Sequence, residues 1–438
     1  MFKDLFKSTE SIFILAPLIL SIIGLVFVFS TGINPDGTNS NLYIRQIIWF
    51  FIGLGVGLVI LGIDYYRLVE ISEYLYIGGV ILLLITLIFG KTVRGSRSWL
   101  GLAGLGIQPS EIMKIFYILF FAKYLSRANI IEQKNKVFLI SLGLLIIPLF
   151  LVLIQPDLGT SIVYVTIFLS MIYIGMPDTK YIKYISFIIL LTGGLLSFIG
   201  FYKYYLETGG NNIQILDILL SFNFFFLISL SLFLYSFITL FIDFFTPTKI
   251  IKKILPFTLV IATSFIFSAA AIKVLKSYQW KRILVMINPE FDKKGAGYNI
   301  IQSEIAIGSG GIFGKGLFRG SQNVLGFLPE KNTDFIFSII CEELGFLGSI
   351  FILLLFFIYF YNIFRVIRNA KDKEGMLVAT GILAMFFTHF IVNIGMTLGI
   401  TPATGLPLPF ISYGGSSLIT FLCAAAIISN IYSNRFVH

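Results

Sequence analysis

Residues 11–31 read SIFILAPLILSIIGLVFVFST, an uninterrupted stretch with no charged side chain. A helix of about 20 apolar residues spans a hydrocarbon core about 30 Å thick. This run is long enough to cross and too long for the apolar core of a signal peptide. No small-residue cleavage site follows it, so it is expected to stay as an anchor. Similar runs recur along the chain. Of its 438 residues, 57% are hydrophobic, only 12% are charged and 47 are phenylalanine, more apolar surface than a soluble core could hide. Lipid leaves no backbone group unpaired, so the spanning element is the helix. Strand-period alternation is absent, which argues against a β-barrel.

About twelve apolar runs are countable, near residues 11–31, 45–63, 73–90, 108–126, 137–154, 158–175, 184–201, 217–243, 254–274, 335–362, 375–398 and 413–432. The expected fold is therefore an all-α polytopic membrane protein, one integral domain over residues 1–438. An even number of spans puts both termini on one side. Lys249, Lys252 and Lys253 in loop 244–253, with Arg365, Arg368, Lys371 and Lys373 in loop 363–374, mark that side as cytoplasmic by the positive-inside rule. Loops 32–44, 91–107, 203–216, 275–334 and 399–412 then face outward. The net charge is +10, and the outward loops are basic too, through Lys91, Arg94, Arg97, Lys276, Lys281, Arg282, Lys293, Lys294, Lys315 and Arg319. An anionic ligand or anionic lipid on that face would account for this.

Ionisable groups inside so apolar a chain are candidates for function. Glu111 and Lys114, in QPSEIMK, share a helix face at i,i+3 and can pair; the pair suits a structural or a functional role. Asp157, in QPDLG, follows Pro156 and can cap the next helix. His389 lies in a span, either as a functional group or as a neutral imidazole bonded to a neighbouring helix. Cys341 and Cys423 fall in apolar runs and read as buried thiols, with no disulfide framework and no zinc site. Loop 275–334 is long and polar. It holds Glu290, Asp292, Gly295 and Gly297, then the run Gly308-Ser-Gly-Gly-Ile-Phe-Gly-Lys-Gly316. Successive backbone N–H groups there could form an anion nest, or the loop could be a connector. It is not a Walker loop, because Gly316 stands where Ser or Thr is required. Pro402, Pro407 and Pro409 before Ser412–Ser417 describe a broken, re-entrant segment, allowed only where protein covers it or it lines a polar cavity.

Seven blocks in order carry a family resemblance: RGSRSWLGLAGLGIQPSEIMK (94–114), QPDLGTS (155–161), NPEFDKKGAGYNIIQS (288–303), IAIGSGGIFGKG (305–316), FLPEKNTDFIF (327–337), EELG (342–345) and TGLPLPFISYGGSS (404–417). Together they resemble the SEDS family of peptidoglycan glycosyltransferases, and the forms IAIGSGGIFGKG and TGLPLPF look more like its RodA-type elongation branch than its FtsW branch. Two departures stand out. Asn332 occupies a position where the family usually has His. The family also usually has ten spans, so residues 184–245 read as an inserted pair.

The resemblance implies polymerisation of lipid II, a disaccharide-peptide on undecaprenyl pyrophosphate, for cell elongation and shape. The α-linked donor would give a β-1,4 product with inversion. Such a transfer needs a base for the acceptor hydroxyl and positive charge for the leaving group. Asp292 matches the family's loop aspartate and is the expected base; Lys293 and Lys294 beside it favour the charged carboxylate a base needs. Glu290 is the nearby competitor. Arg282 and Lys315 are the expected pyrophosphate contacts, with Trp99, Gln302, Glu111, Lys114 and Asp157 in the matching blocks as further substrate-binding residues. No metal-ligand cluster is visible, although a divalent cation, Mg or Mn, is compatible with the reaction. The implied partners are lipid II, a class B penicillin-binding transpeptidase and the membrane, with no nucleic acid. The implied location is the bacterial cytoplasmic (inner) membrane. A lipid II flippase, or a scaffold that only recruits the transpeptidase, are the rival readings. A flippase would concentrate ionisable groups at the bilayer midplane, whereas here they gather in an outward loop.

Overall fold

A computed structural model describes residues 12–33, 38–93, 96–101, 106–176, 178, 180–207, 210–211, 213–245, 249–274, 277–292 and 295–434. The chain divides into two compact units, Met1–Pro177 with Asn299–His438, and Asp178–Tyr298. The second unit encloses the segment 184–245 expected as an insertion and continues past it to Tyr298.

In the first unit the helices before the division are α1 (Ile12–Thr31), α2 (Leu42–Gly62), the short α3 (Tyr65–Glu70), α4 (Ser72–Phe89), α5 (Pro109–Arg127), α6 (Ile130–Ile154) and α7 (Leu158–Gly175). A two-stranded antiparallel hairpin, β1 (Lys91–Val93) and β2 (Ser96–Trp99), joins α4 to α5. Its Arg97 donates from Nε to the Gly90 carbonyl (2.8 Å) and from a terminal nitrogen to that of Ile88 (2.6 Å), satisfying the end of α4. The second unit holds α8 (Lys180–Glu207), α9 (Gln214–Leu219), α10 (Phe222–Phe245), α11 (Lys249–Val274), α12 (Ser277–Ile287) and a 3₁₀ turn, Pro289–Asp292. Then follow α13 (Ala296–Ser309), the single turn α14 (Ser321–Val324), α15 (Ile336–Arg368), α16 (Lys373–Thr397) and α17 (Gly415–Asn434).

Among the described residues, eleven helices are long and apolar enough to cross a membrane. The remaining long helix, α5, carries Glu111, Lys114, Lys123 and Arg127 and is the twelfth expected span. Every expected span is thus helical. The run expected at 217–243 is divided: α9 ends at Leu219 and α10 begins at Phe222. Much of loop 275–334 is helix rather than open loop.

The core of the first unit is α17, buried along nearly its whole length, with α2 and α1 against it, and α16 packed against α5, α7 and α15. Small residues such as Ala424, Ala425 and Ala426 let neighbouring helices approach closely. In the second unit, α10 and α11 form a hairpin tied by hydroxyls. Ser229 donates to the Ala262 carbonyl at 2.9 Å, and the Ser236 and Thr258 hydroxyls lie 3.0 Å apart. The opposite stripe of α10, with Leu227, Leu230, Leu234, Phe237 and Phe241, is exposed. An apolar stripe of that length is what lipid solvates.

α15 is broken at Gly345, whose φ of 67° and ψ of −165° suit glycine. The break frees backbone groups that the glycine-rich run then satisfies. Lys315 and Gly316 donate their N–H groups to the carbonyls of Glu342 and Glu343 (both 3.0 Å). Phe346 and Leu347 donate to the carbonyls of Gly311 (2.9 Å) and Ile312 (3.2 Å).

Candidate active site

Asp292 is carried by a framework that starts at Trp280. α12 is amphipathic: Gln279, Trp280, Leu284 and Val285 are buried, and Lys281 and Met286 are exposed. The indole of Trp280 packs with Ile199, Phe225 and Ala269, and the Lys203 ammonium stands 4.3 Å from its ring centroid. Asn288, just past the helix, donates from Nδ2 to the Tyr204 hydroxyl (3.0 Å) and accepts from the Glu290 N–H (3.0 Å). The 3₁₀ turn that follows ends on Asp292, whose carbonyl accepts from the Gly295 N–H at 3.0 Å. A Cβ at Gly295 would overlap the Asp292 carboxylate, and one at Gly297 would overlap the Pro289 carbonyl. The two glycines therefore make room for the aspartate's own turn. Asp292 is half-buried and Glu290 exposed, while Arg282 is half-buried on α12. Lys293 and Lys294, the cations expected to favour a charged Asp292, lie outside the described residues, as do Lys276 and Arg94.

In the other unit, Glu111 and Lys114 form the expected ion pair, Nζ to Oε1 at 2.7 Å, with both side chains almost completely buried. His389 of α16 completes the cluster, its Nε2 2.9 Å from Lys114 Nζ. Asp157 caps α7, accepting from the Thr160 N–H at 3.1 Å and its hydroxyl at 2.8 Å. The same carboxylate also accepts from Gln108 Nε2 at 2.8 Å, while the Gln108 N–H donates to Ser416 Oγ at 2.8 Å. Gln108 thereby joins the N-terminal ends of α5, α7 and α17, three residues before Glu111. The structure thus brings Glu111, Lys114 and Asp157 to one end of α5.

Lys315 is placed differently. Its ammonium is 2.8 Å from Oε1 of Glu342 and donates to Ser321 Oγ at 2.7 Å. With the neighbouring N–H groups engaged by α15 carbonyls, the glycine run acts as a strap for the broken helix, and the N–H groups of Lys315 and Gly316 are not free for an anion nest. Glu343, beside Glu342, accepts from Ser30 Oγ (2.6 Å), Asn323 Nδ2 (2.8 Å) and the Phe318 N–H (3.2 Å). Lys331 donates to the Asn323 carbonyl at 2.5 Å, and burial lowers its ammonium's pKa. No single residue of this network announces it in the sequence. Its signal was present in EELG, two adjacent carboxylates inside an apolar run.

Trp99 is half-buried at the end of β2, and Gln302 half-buried on α13. The backbone carbonyl of Asn332 accepts from the Tyr413 N–H at 2.9 Å. The segment 399–414 is irregular, and protein groups satisfy much of its backbone. Asn393 Nδ2 donates to the Leu406 carbonyl (2.8 Å), Ser412 Oγ accepts from the Leu408 N–H (2.9 Å), and Gln46 Nε2 donates to the Ser412 carbonyl (3.3 Å). Cys341 and Cys423 are free, buried thiols. Among the described residues no group of three or more His, Cys, Asp or Glu is placed to hold a metal ion.

Comparison with known proteins puts this geometry in context. The family model described as "Cell cycle protein", FtsW/RodA/SpoVE, matches residues 10–209 and 227–436. The chain is 38% identical to "Peptidoglycan glycosyltransferase RodA" of Treponema pallidum, over 97% of this chain and 98% of that one. It is 32% identical to "Peptidoglycan glycosyltransferase MrdB" of Escherichia coli K12, covering 96% and 94%. A chain from a structure titled "Structural coordination of polymerization and crosslinking by a peptidoglycan synthase complex" superposes with a TM-score of 0.66, covering 98% and 99% at 21% identity. That likeness shows the shared fold. On a match that spans both units, the chain belongs to the family of cell cycle proteins that comprises FtsW, RodA and SpoVE.

Proposed function

We propose that this chain is a peptidoglycan glycosyltransferase of the elongation type, polymerising lipid II into β-1,4-linked glycan strands. The observation that carries the reading is the near-full-length identity to a protein named peptidoglycan glycosyltransferase RodA. The turn that presents Asp292 supports it, with Gly295 leaving room for the Asp292 carboxylate and Gly297 for the Pro289 carbonyl.

In this reaction the acceptor's sugar 4-hydroxyl attacks the anomeric carbon of the donor. The bond to the polyprenyl pyrophosphate breaks on the opposite face, and configuration inverts. Asp292 takes the hydroxyl proton as general base. The leaving pyrophosphate needs no acid to protonate it, so one carboxylate suffices where glycoside hydrolysis uses two. Arg282 is the first candidate to meet the pyrophosphate, because a guanidinium fork matches its oxygens. Lys315 is the second, since its charge already serves Glu342. Lys114, Glu111, Asp157, Trp99 and Gln302 are assigned to substrate binding. The proposed location is the bacterial inner membrane, with residues 275–334 outside and both termini in the cytoplasm. A class B penicillin-binding transpeptidase is the proposed partner, supported by the likeness to a chain from a peptidoglycan synthase complex.

Purified protein in detergent, given lipid II, should produce glycan strands, and Asp292→Asn should not. Detergent has no two sides, so a pure flippase would give no product. Product from wild type that persists unchanged in Asp292→Asn would remove Asp292 from the mechanism.

A further inference from the structure

His389 is the one ionisable side chain deep in α16, and the reaction above leaves it without a role. Its ring has no exposed surface and packs edge-on against Phe421 of α17, with centroids 5.0 Å apart. Nε2 faces the Lys114 ammonium at 2.9 Å, and Nδ1 faces the Pro407 carbonyl at 3.1 Å. An ammonium only donates and a carbonyl only accepts. Nε2 must therefore accept from Lys114, and Nδ1 must carry the proton and donate to Pro407. The imidazole is neutral, in a tautomer set by its two neighbours.

The consequence falls on Lys114. Glu111 engages it through Oε1 alone, and Glu111 Oε2 has no hydrogen-bond partner among the described residues. Without the imidazole, the ammonium would keep one fixed bond and swing about it. With it, two of the three N–H groups are fixed in direction, and the third points one way only. That third N–H and Glu111 Oε2 are the pair's remaining buried donor and acceptor. We propose that His389 is a positioning residue for substrate binding: it hangs the Lys114 ammonium from the Pro407 carbonyl, coupling the proline-rich segment 402–409 to the Glu111–Lys114 pair. This inference rests on the reading that Lys114 binds substrate.

The test is steady-state polymerisation of lipid II by the purified full-length chain, with a double-mutant cycle. His389→Leu removes donor and acceptor, and should raise KM about tenfold, the scale of one hydrogen bond to a charged group, leaving kcat within about twofold. His389→Gln can still accept from Lys114 and donate to Pro407, and should restore KM to within about threefold. In a Lys114→Met background, His389→Leu should change KM less than twofold, because the group it positions is gone. A residue that only supports the fold would add its effect in both backgrounds. If Lys114→Met leaves KM unchanged, the substrate role of Lys114 fails. If Lys114→Met raises KM but His389→Leu does not, or the two effects add, His389 is not its positioner. Should His389→Leu not fold, the wild type decides. The chain has two histidines, and in ¹⁵N-histidine spectra the signal that survives His438→Ala must show a protonated Nδ1 and a bare Nε2. An imidazolium, or the opposite tautomer, overturns the proposal.

Discussion

Lys315 Nζ lies 2.8 Å from Oε1 of Glu342, a carboxylate with no exposed side-chain surface, while the Lys315 backbone N–H is bonded to the carbonyl of that same glutamate. The lysine side chain and its backbone thus both brace the helix broken at Gly345. Lys315→Met would leave the buried Glu342 charge with only the Ser321 hydroxyl and the Gln322 N–H. The expected loss is about 1–3 kcal/mol, towards the low end because the lysine is partly exposed. Thermal unfolding in detergent should show it as a lower melting temperature. A raised KM for lipid II with unchanged melting would assign Lys315 to substrate instead.

Gly295→Ala should behave like a catalytic mutant although it leaves the proposed base, Asp292, in the chain. The added methyl collides with the Asp292 carboxylate and must displace it. Displacements near 1 Å cost about 10²-fold in rate, so polymerisation should fall by that order while the protein purifies normally. Gly297→Ala should act the same way through the Pro289 carbonyl. Wild-type turnover by both variants would mean that Asp292 is not held by this turn during catalysis.

Asp292→Asn keeps the side chain's size and removes its basicity. Loss of a general base lowers rates by about 10²–10⁴. Lipid II binding and partner association should be retained, and Glu290→Gln, altering an exposed side chain, should be much milder. Glycan-strand synthesis by the two purified variants, side by side, identifies which carboxylate is the base.

Orientation is open to thiol labelling, because the native cysteines are both buried and give little background. A membrane-impermeant thiol reagent should label Lys281→Cys in intact cells. Lys371→Cys should react only after permeabilisation. The reverse pattern would put Asp292 in the cytoplasm, where it could not extend strands outside.

The helical, span-by-span character of the chain was legible in its residues. An apolar run such as 11–31 has few alternatives to a spanning helix, because lipid permits no unpaired backbone and the constraint is local. The i,i+3 pairing of Glu111 with Lys114 and the capping by Asp157 were legible for the same reason: each involves positions within one turn. The order of the seven motif blocks was legible as family membership. Tertiary structure alone decided what lies across the chain. That His389 meets Lys114, 275 positions away in sequence, follows from the packing of α16 on α5, which no local pattern encodes. The glycine run suits an anion nest or a connector equally, because glycine signals close approach without naming the group approached; the group is the backbone of α15 around Gly345. Glycines 295 and 297 carried the same ambiguity, and only the placed Asp292 turn shows what they make room for. Local chemistry fixes elements and caps, whereas the partner of a buried charge is fixed by which helices touch.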